Sequence, residues 1–194
     1  MMPLINKIIS TYRRYRPVMT FSSFLQASLH QSVAMRCDAA NIWRGRCIEE
    51  FGMVEAAVSE TLAYLAAIPG HGAKMVLPHL IGQRFAALKA EVSEHGSFAQ
   101  EGYRVFETLD DLEFLYRLRT FLCHGSSTVT LNERGEWSIN MRLLDFRNGK
   151  PKRDMMELTE HKASQILEDL TYARLRLEGQ LRAMLAAFRP SAIC

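Results

Sequence analysis

The run Leu118-Arg119-Thr120-Phe121-Leu122-Cys123-His124-Gly125 sets an arginine and a histidine five positions apart, directly before a glycine. Those two side chains could carry out one kind of reaction. Cutting RNA without a metal needs a group that takes the proton of the ribose 2′-hydroxyl and a cation that stabilises charge on the phosphate. An imidazole titrates near neutrality and can move that proton. A guanidinium stays charged and can hold two phosphate oxygens at once. The same pair also has an ordinary structural reading. Arg119 could be a salt-bridged helix residue, and His124 a C-terminal residue favourable to the helix dipole. Other chemistries find no support. The sequence contains no GxxxxGK[ST], GxGxxG, HExxH or GxSxG. Its six His, at 30, 71, 79, 95, 124 and 161, show no metal-ligand spacing, so neither a metal nor a cofactor is implied. Cys123 and His124 are neighbours, which on a helix point about 100° apart, so Cys123 reads as a packed thiol rather than half of a dyad.

The periodicity of apolar residues predicts the elements that carry this run. Cys47, Phe51, Val54, Val58, Leu62 and Leu65 form one stripe of a long helix, ended by Pro69-Gly70-His71-Gly72. Leu77, Ile81, Phe85, Leu88 and Val92 predict a second helix, with Pro78 near its first turn. Glu94-His95-Gly96-Ser97 closes it. Thr108, with Asp110 and Asp111 following, predicts the start of a third helix, which runs through Leu112, Leu115, Leu118 and Leu122 and stops at Gly125. The period then changes to two. Val129 and Leu131, then Trp137, Ile139, Met141 and Leu143, alternate with polar residues around Asn132-Glu-Arg-Gly135, as in a β-hairpin. Asp145 to Asp154 reads as a polar loop. Thr159 caps a long last helix with the stripe Ala163, Ile166, Leu170, Leu177, Leu181, Met184 and Phe188. The expected fold class is therefore all-α. It is an up-down bundle of four or more helices, with a small β-hairpin between the third and last long helices.

Composition bounds the rest. The chain has 194 residues, 48% apolar and 23% charged, which suits one soluble domain. Its four Cys form no CxxC and no disulfide framework, so a reducing, cytoplasmic setting is expected. No apolar run of membrane-spanning length occurs. Residues 1–37 carry +5 and no acidic residue, whereas the remainder carries −2. A near-neutral body argues against broad, non-specific nucleic-acid binding. Segment 1–37 reads as a basic, poorly ordered head (or the product of an early start codon), as an accessory helix, or as a targeting segment. Residues 38–189 form the expected domain and 190–194 a tail.

The run at 119–124 resembles the Rx4–6H motif of the HEPN superfamily. Those proteins are small α-helical bundles, and many are metal-independent endoribonucleases of toxin–antitoxin and phage-defence systems. The likeness covers the motif late in a helix, the glycine after its His and a terminal helix beyond, over roughly residues 38–188. The residue after the motif Arg is often Asn, Asp or His in the family and is Thr120 here. The resemblance implies transfer of the RNA strand to a cyclic phosphate. His124 would be the general base or acid and Arg119 the phosphate-binding residue. It implies no cofactor, an RNA substrate, a homodimer in which motif helices of two protomers line a shared cleft, and a cognate antitoxin as a further partner. The alternative it leaves open is a non-catalytic HEPN-like dimer that binds RNA, a nucleotide or a partner protein.

Helix geometry bears on the dimer directly. Five residues of a regular helix turn the two side chains about 140° apart. They converge only if the helix unwinds near Gly125 or if two chains pool their residues. Arg119 also falls in the arc of Leu112, Leu115, Tyr116 and Cys123, where a charge needs a partner. A two-fold dimer would supply both. Two accessory features could serve RNA. Arg147, Lys150, Lys152 and Arg153 could grip a phosphate backbone from their loop, or be a solvated charge cluster. Trp137 could stack on a base, although its alternation with Ile139 and Met141 points to the core.

Overall fold

The computed structural model describes residues 21–70, 72, 75–147 and 149–188. Its elements, in chain order, are α1 (Phe21–Ala66), α2 (Ile81–Glu91), α3 (Ala99–His124), β1 (Ser126–Leu131), β2 (Trp137–Arg147), β3 (Lys150–Thr159) and α4 (Glu160–Ala186). The stripe read from the sequence is the buried face of α1: Cys47, Phe51, Val54, Val58, Leu62 and Leu65 are all buried, and Ala40 and Trp43 extend it. Against it lies α4, whose Ala163, Leu170, Leu177, Leu181 and Met184 are buried. The Thr159 hydroxyl accepts from the Lys162 N–H at 3.4 Å and so caps α4 as expected. Trp43 Nε1 donates to the Ala163 carbonyl at 2.7 Å, which satisfies the buried indole and ties α1 to the first turn of α4. Helix α1 has 46 residues and runs without interruption through position 37. The boundary drawn at 37/38 therefore falls inside one helix. Residues 1–20 and the tail 190–194 lie outside the described residues.

The all-α bundle expected from the sequence is overturned. Three antiparallel strands in the order β1-β2-β3 form a sheet on the helices, so the fold mixes helices with a sheet. The first hairpin is where the alternation put it, with Val129 opposite Ile139 and Leu131 opposite Trp137. The polar loop expected over Asp145–Asp154 is instead the end of β2 and the start of β3. Arg147 pairs with Lys150, Asp145 with Lys152 and Leu144 with Arg153. Gly149 takes φ 74°, a left-handed conformation that glycine adopts without strain. Asn-Gly is the pair that two-residue hairpin turns prefer, and Asn148-Gly149 is such a pair in the sequence. Charge hid the strand. Lys150, Lys152, Arg153 and Asp154 mask a period-two pattern that surfaces only at Met156 and Leu158. Pro151 is tolerated because β3 is an edge strand.

Helix α3 also differs from expectation. It starts at Ala99, not at Thr108. Thr108 is fully buried within it, and its hydroxyl has no partner among the described residues. Phe98, Val105, Leu109 and Leu112 form one buried face across the supposed boundary. At Gly102 a Cβ would fall 2.5 Å from Val92 Cγ1, so glycine there lets the helix pass close to the end of α2. The sheet packs its other face on the helices, with Trp137, Ile139 and Met141 buried. Among the described residues no helix is long and apolar enough to cross a membrane.

Candidate active site

Helix α3 delivers the motif and stays helical through His124. Gly125 follows with φ −80° and ψ 144°, which is extended backbone, and its N–H donates to the Phe121 carbonyl at 2.9 Å. A Cβ at this position would lie 2.6 Å from Phe121 O and 3.3 Å from Arg142 O. Glycine is thus required here for a close backbone approach rather than for a left-handed cap. The chain then turns directly into β1 at Ser126.

The partner that Arg119 needs comes from its own chain. Arg119 Nε donates to Glu55 Oε1 at 2.8 Å, and Nη2 donates to Oε2 at 3.4 Å. The pair is only partly exposed, 25% for the Arg side chain and 17% for the Glu. Burial disfavours the guanidinium's charge, but the Glu55 hydrogen bond and carboxylate outweigh it and raise its pKa. The apolar surroundings of Arg119 therefore do not by themselves require a second protomer. One turn earlier, Tyr116 packs its ring 4.5 Å from that of Phe85 and 5.9 Å from that of Phe51. Burial, and then the Glu55 charge, push its phenol above the usual tyrosine range. Its hydroxyl has no partner among the described residues. Thr120 donates its hydroxyl to the Tyr116 carbonyl at 3.1 Å, so this group is spent on the helix backbone.

His124 is exposed at the end of α3 and makes no side-chain hydrogen bond or ion pair among the described residues. The end of the helix is nonetheless held firmly. Arg44 of α1 donates through Nε to the Leu122 carbonyl at 2.9 Å, through Nη2 to the same oxygen and through Nη1 to Ser127 Oγ at 3.0 Å. A cation on the last carbonyls satisfies orphan acceptors and suits the helix dipole. Cys123, expected as a packed thiol, is exposed. Among the described residues the buried thiol is Cys47, which burial, and then Glu50, push up to about 12.

The structure does not bring Arg119 and His124 together within one chain. Because α3 remains regular, Arg119 faces α1 and His124 faces solvent. The four basic residues do not share one loop either. Lys150 and Lys152 lie on the helix-facing side of the sheet, and Arg153 lies on the other. Lys152 is bound to Asp154 at 3.1 Å. The side chain of Arg147 lies outside the described residues. Trp137 is buried, 5.9 Å from Trp43, and is part of the core. Sequence reasoning missed Glu55 and Arg44. Both follow a residue of the α1 stripe by four positions, Phe51 and Ala40, and a charge on an apolar helix face signals a partner. Among the described residues no group of three or more His, Cys, Asp or Glu could hold a metal ion. Compared with family models, curated proteins and solved structures, the chain finds no match.

Proposed function

We propose that this chain is a metal-independent endoribonuclease of HEPN type, acting as a homodimer in a toxin–antitoxin or phage-defence setting. The observation that carries the reading is His124. It is an exposed imidazole, unpaired among the described residues, on a helix end that Arg44 and Gly125 hold rigid. In the proposed reaction His124 takes the proton of the ribose 2′-hydroxyl. The 2′-oxygen bonds to phosphorus, the bond from phosphorus to the 5′-oxygen breaks, and the leaving oxygen takes a proton from water. The products are a 2′,3′-cyclic phosphate and a 5′-hydroxyl. Glu55 occupies Nε–H and one N–H of Nη2 of Arg119 and leaves Nη1 and the second N–H of Nη2 to donate to a phosphate. Arg119 is thus oriented by Glu55 and still presents the outer edge of its guanidinium to a phosphate. Convergence with His124 then requires the motif helix of a second protomer.

One test is cleavage of ribose and deoxyribose oligonucleotides in EDTA. The reading expects ribose to be cut, deoxyribose to survive, and His124→Ala to lose about 10²–10⁴ in rate while melting like the wild type. Growth arrest on expression in bacteria should be relieved by the same substitution. Loss of cleavage on chelation that magnesium restores, or His124→Ala cutting as fast as wild type, overturns it. The ion pair of Arg119 with Glu55 and the backbone-bound Thr120 hydroxyl favour a second reading, a non-catalytic dimer that binds RNA, a nucleotide or a partner protein. Binding without His124-dependent cleavage would select it.

A further inference from the structure

The outer face of the sheet is unlike the face that meets the helices. Residues directly opposite in an antiparallel pair share a face, and alternate residues along a strand share it too. The register Ser126↔Arg142, Arg142↔Met155, Leu144↔Arg153 and Phe146↔Pro151 therefore puts Arg142, Leu144, Phe146, Arg153 and Met155 on one side. There Phe146 is 67% exposed, Met155 64% and Leu144 52%. Arg142 and Arg153 are exposed, and neither guanidinium has a partner among the described residues. Ser126 begins this face, and it is only two residues after His124. Two unpaired guanidiniums and an open aromatic ring thus share one surface, which begins two residues after His124. From the Arg142 row to Phe146 is four residues, or about 14 Å of strand.

We infer that this face is the track for single-stranded RNA leading to His124, with Phe146 stacking on a base and Arg142 and Arg153 contacting phosphates. The inference rests on the nuclease reading for its choice of RNA and adds where the strand lies. An exposed ring one row beyond two guanidiniums offers a base a stacking surface and its neighbouring phosphates a cation each, as an unpaired strand requires. A duplex keeps its bases stacked and offers the ring nothing. A second copy of the chain fits poorly. Two copies meeting through this face would bring together four unpaired guanidiniums against two carboxylates. The single carboxylate on this face, Glu157, is opposite Asn140, away from Phe146. It leaves the outer face from the Arg142 row to the β2–β3 turn without a carboxylate.

The test is fluorescence anisotropy of a labelled 2′-O-methyl oligouridine, which cannot be cut, titrated with the full chain. Binding should weaken about tenfold or more in Phe146→Ala and stay near wild type in Phe146→Trp. Each of Arg142→Ala and Arg153→Ala should lower the salt slope of log affinity by about 0.7. Duplex RNA should not compete. All four variants should melt like the wild type, because the replaced side chains are exposed. If the variants bind as tightly as wild type while His124-dependent cutting of ribose RNA persists, the track is wrong and the nuclease reading stands. If Phe146→Ala loses binding but no His124-dependent cutting exists, the track stands and the nuclease reading falls. A wild-type chain with no affinity for the oligonucleotide overturns the track. So does a dimer that Phe146→Ala dissociates, which would make this face a contact between copies.

Discussion

Replacing Glu55 with Gln tests whether Arg119 is satisfied within its own chain. The amide keeps an oxygen near Arg119 Nε, now 2.8 Å from Oε1, but removes the negative charge and one of the two acceptors. Removing one partner of a fully buried pair costs about 3–5 kcal/mol, because a charge is left uncompensated. An exposed pair contributes about 0–1 kcal/mol. Side-chain exposures of 25% and 17% put this pair between those limits, and about 2 kcal/mol is the expected loss. For a chain of this size that corresponds to a fall in melting temperature of about 4–8 °C. The assay is a double-mutant cycle by thermal and urea melting, with Glu55→Gln, Arg119→Met and both together. Met keeps the stem's packing and removes the charge. The double variant should be more stable than the summed single losses allow, with a coupling of about 1 kcal/mol or more. Additive losses, or a Glu55→Gln protein that melts with the wild type, would show that Arg119 takes its partner from elsewhere, a second protomer first of all.

Gly125→Ala should cost about 1–3 kcal/mol by urea melting, because its Cβ would fall 2.6 Å from a backbone oxygen that cannot move alone. Trp137→Ala should cost about 3–5 kcal/mol and leave affinity for RNA per folded molecule unchanged, since the ring is core and not a stacking platform. Arg44→Leu should lower RNA cleavage more than it lowers the melting temperature, because it frees the helix end that holds His124. An equal effect on both would reduce Arg44 to a structural role. Sedimentation at tens of micromolar should show a homodimer, and a clean monomer would remove the shared cleft.

The helices were legible wherever one face was uniformly apolar, as in α1 and α4. Every residue of the α1 stripe is buried, and in the α4 stripe Ala163, Leu170, Leu177, Leu181 and Met184 are buried while Ile166 and Phe188 are half-buried against the core. The signals failed where polar residues carried conflicting meanings. Thr108 and the two Asp after it look like a helix start, yet Phe98 and Val105 continue the face behind them, and tertiary burial overrode the cap chemistry. The charged half of β3 was read as a loop because its inward positions include Lys152 and Asp154, which pair with each other and need no apolar side chain. The Asn148-Gly149 pair in the sequence was the better signal and outweighs the charges. At the site, the Arg–His spacing and the helix stop at Gly125 were visible in the residues. Glu55 was not, because its partner is 64 positions away and only packing of α1 against α3 joins them. Arg44 was hidden for the same reason, 78 positions from the carbonyl it caps.

The chain has two tryptophans, and they are in contact at 5.9 Å. Trp43 belongs to α1 and bonds to the first turn of α4, while Trp137 opens β2. All of the indole fluorescence therefore originates where the sheet is seated on the two long helices. Lifting the sheet would part the rings and wet both together. A change in emission would thus report movement of that seam specifically, and emission that stays constant when RNA is added would place any rearrangement elsewhere. With no label introduced, the protein carries its own optical gauge of whether the outer face of the sheet moves as one piece with His124.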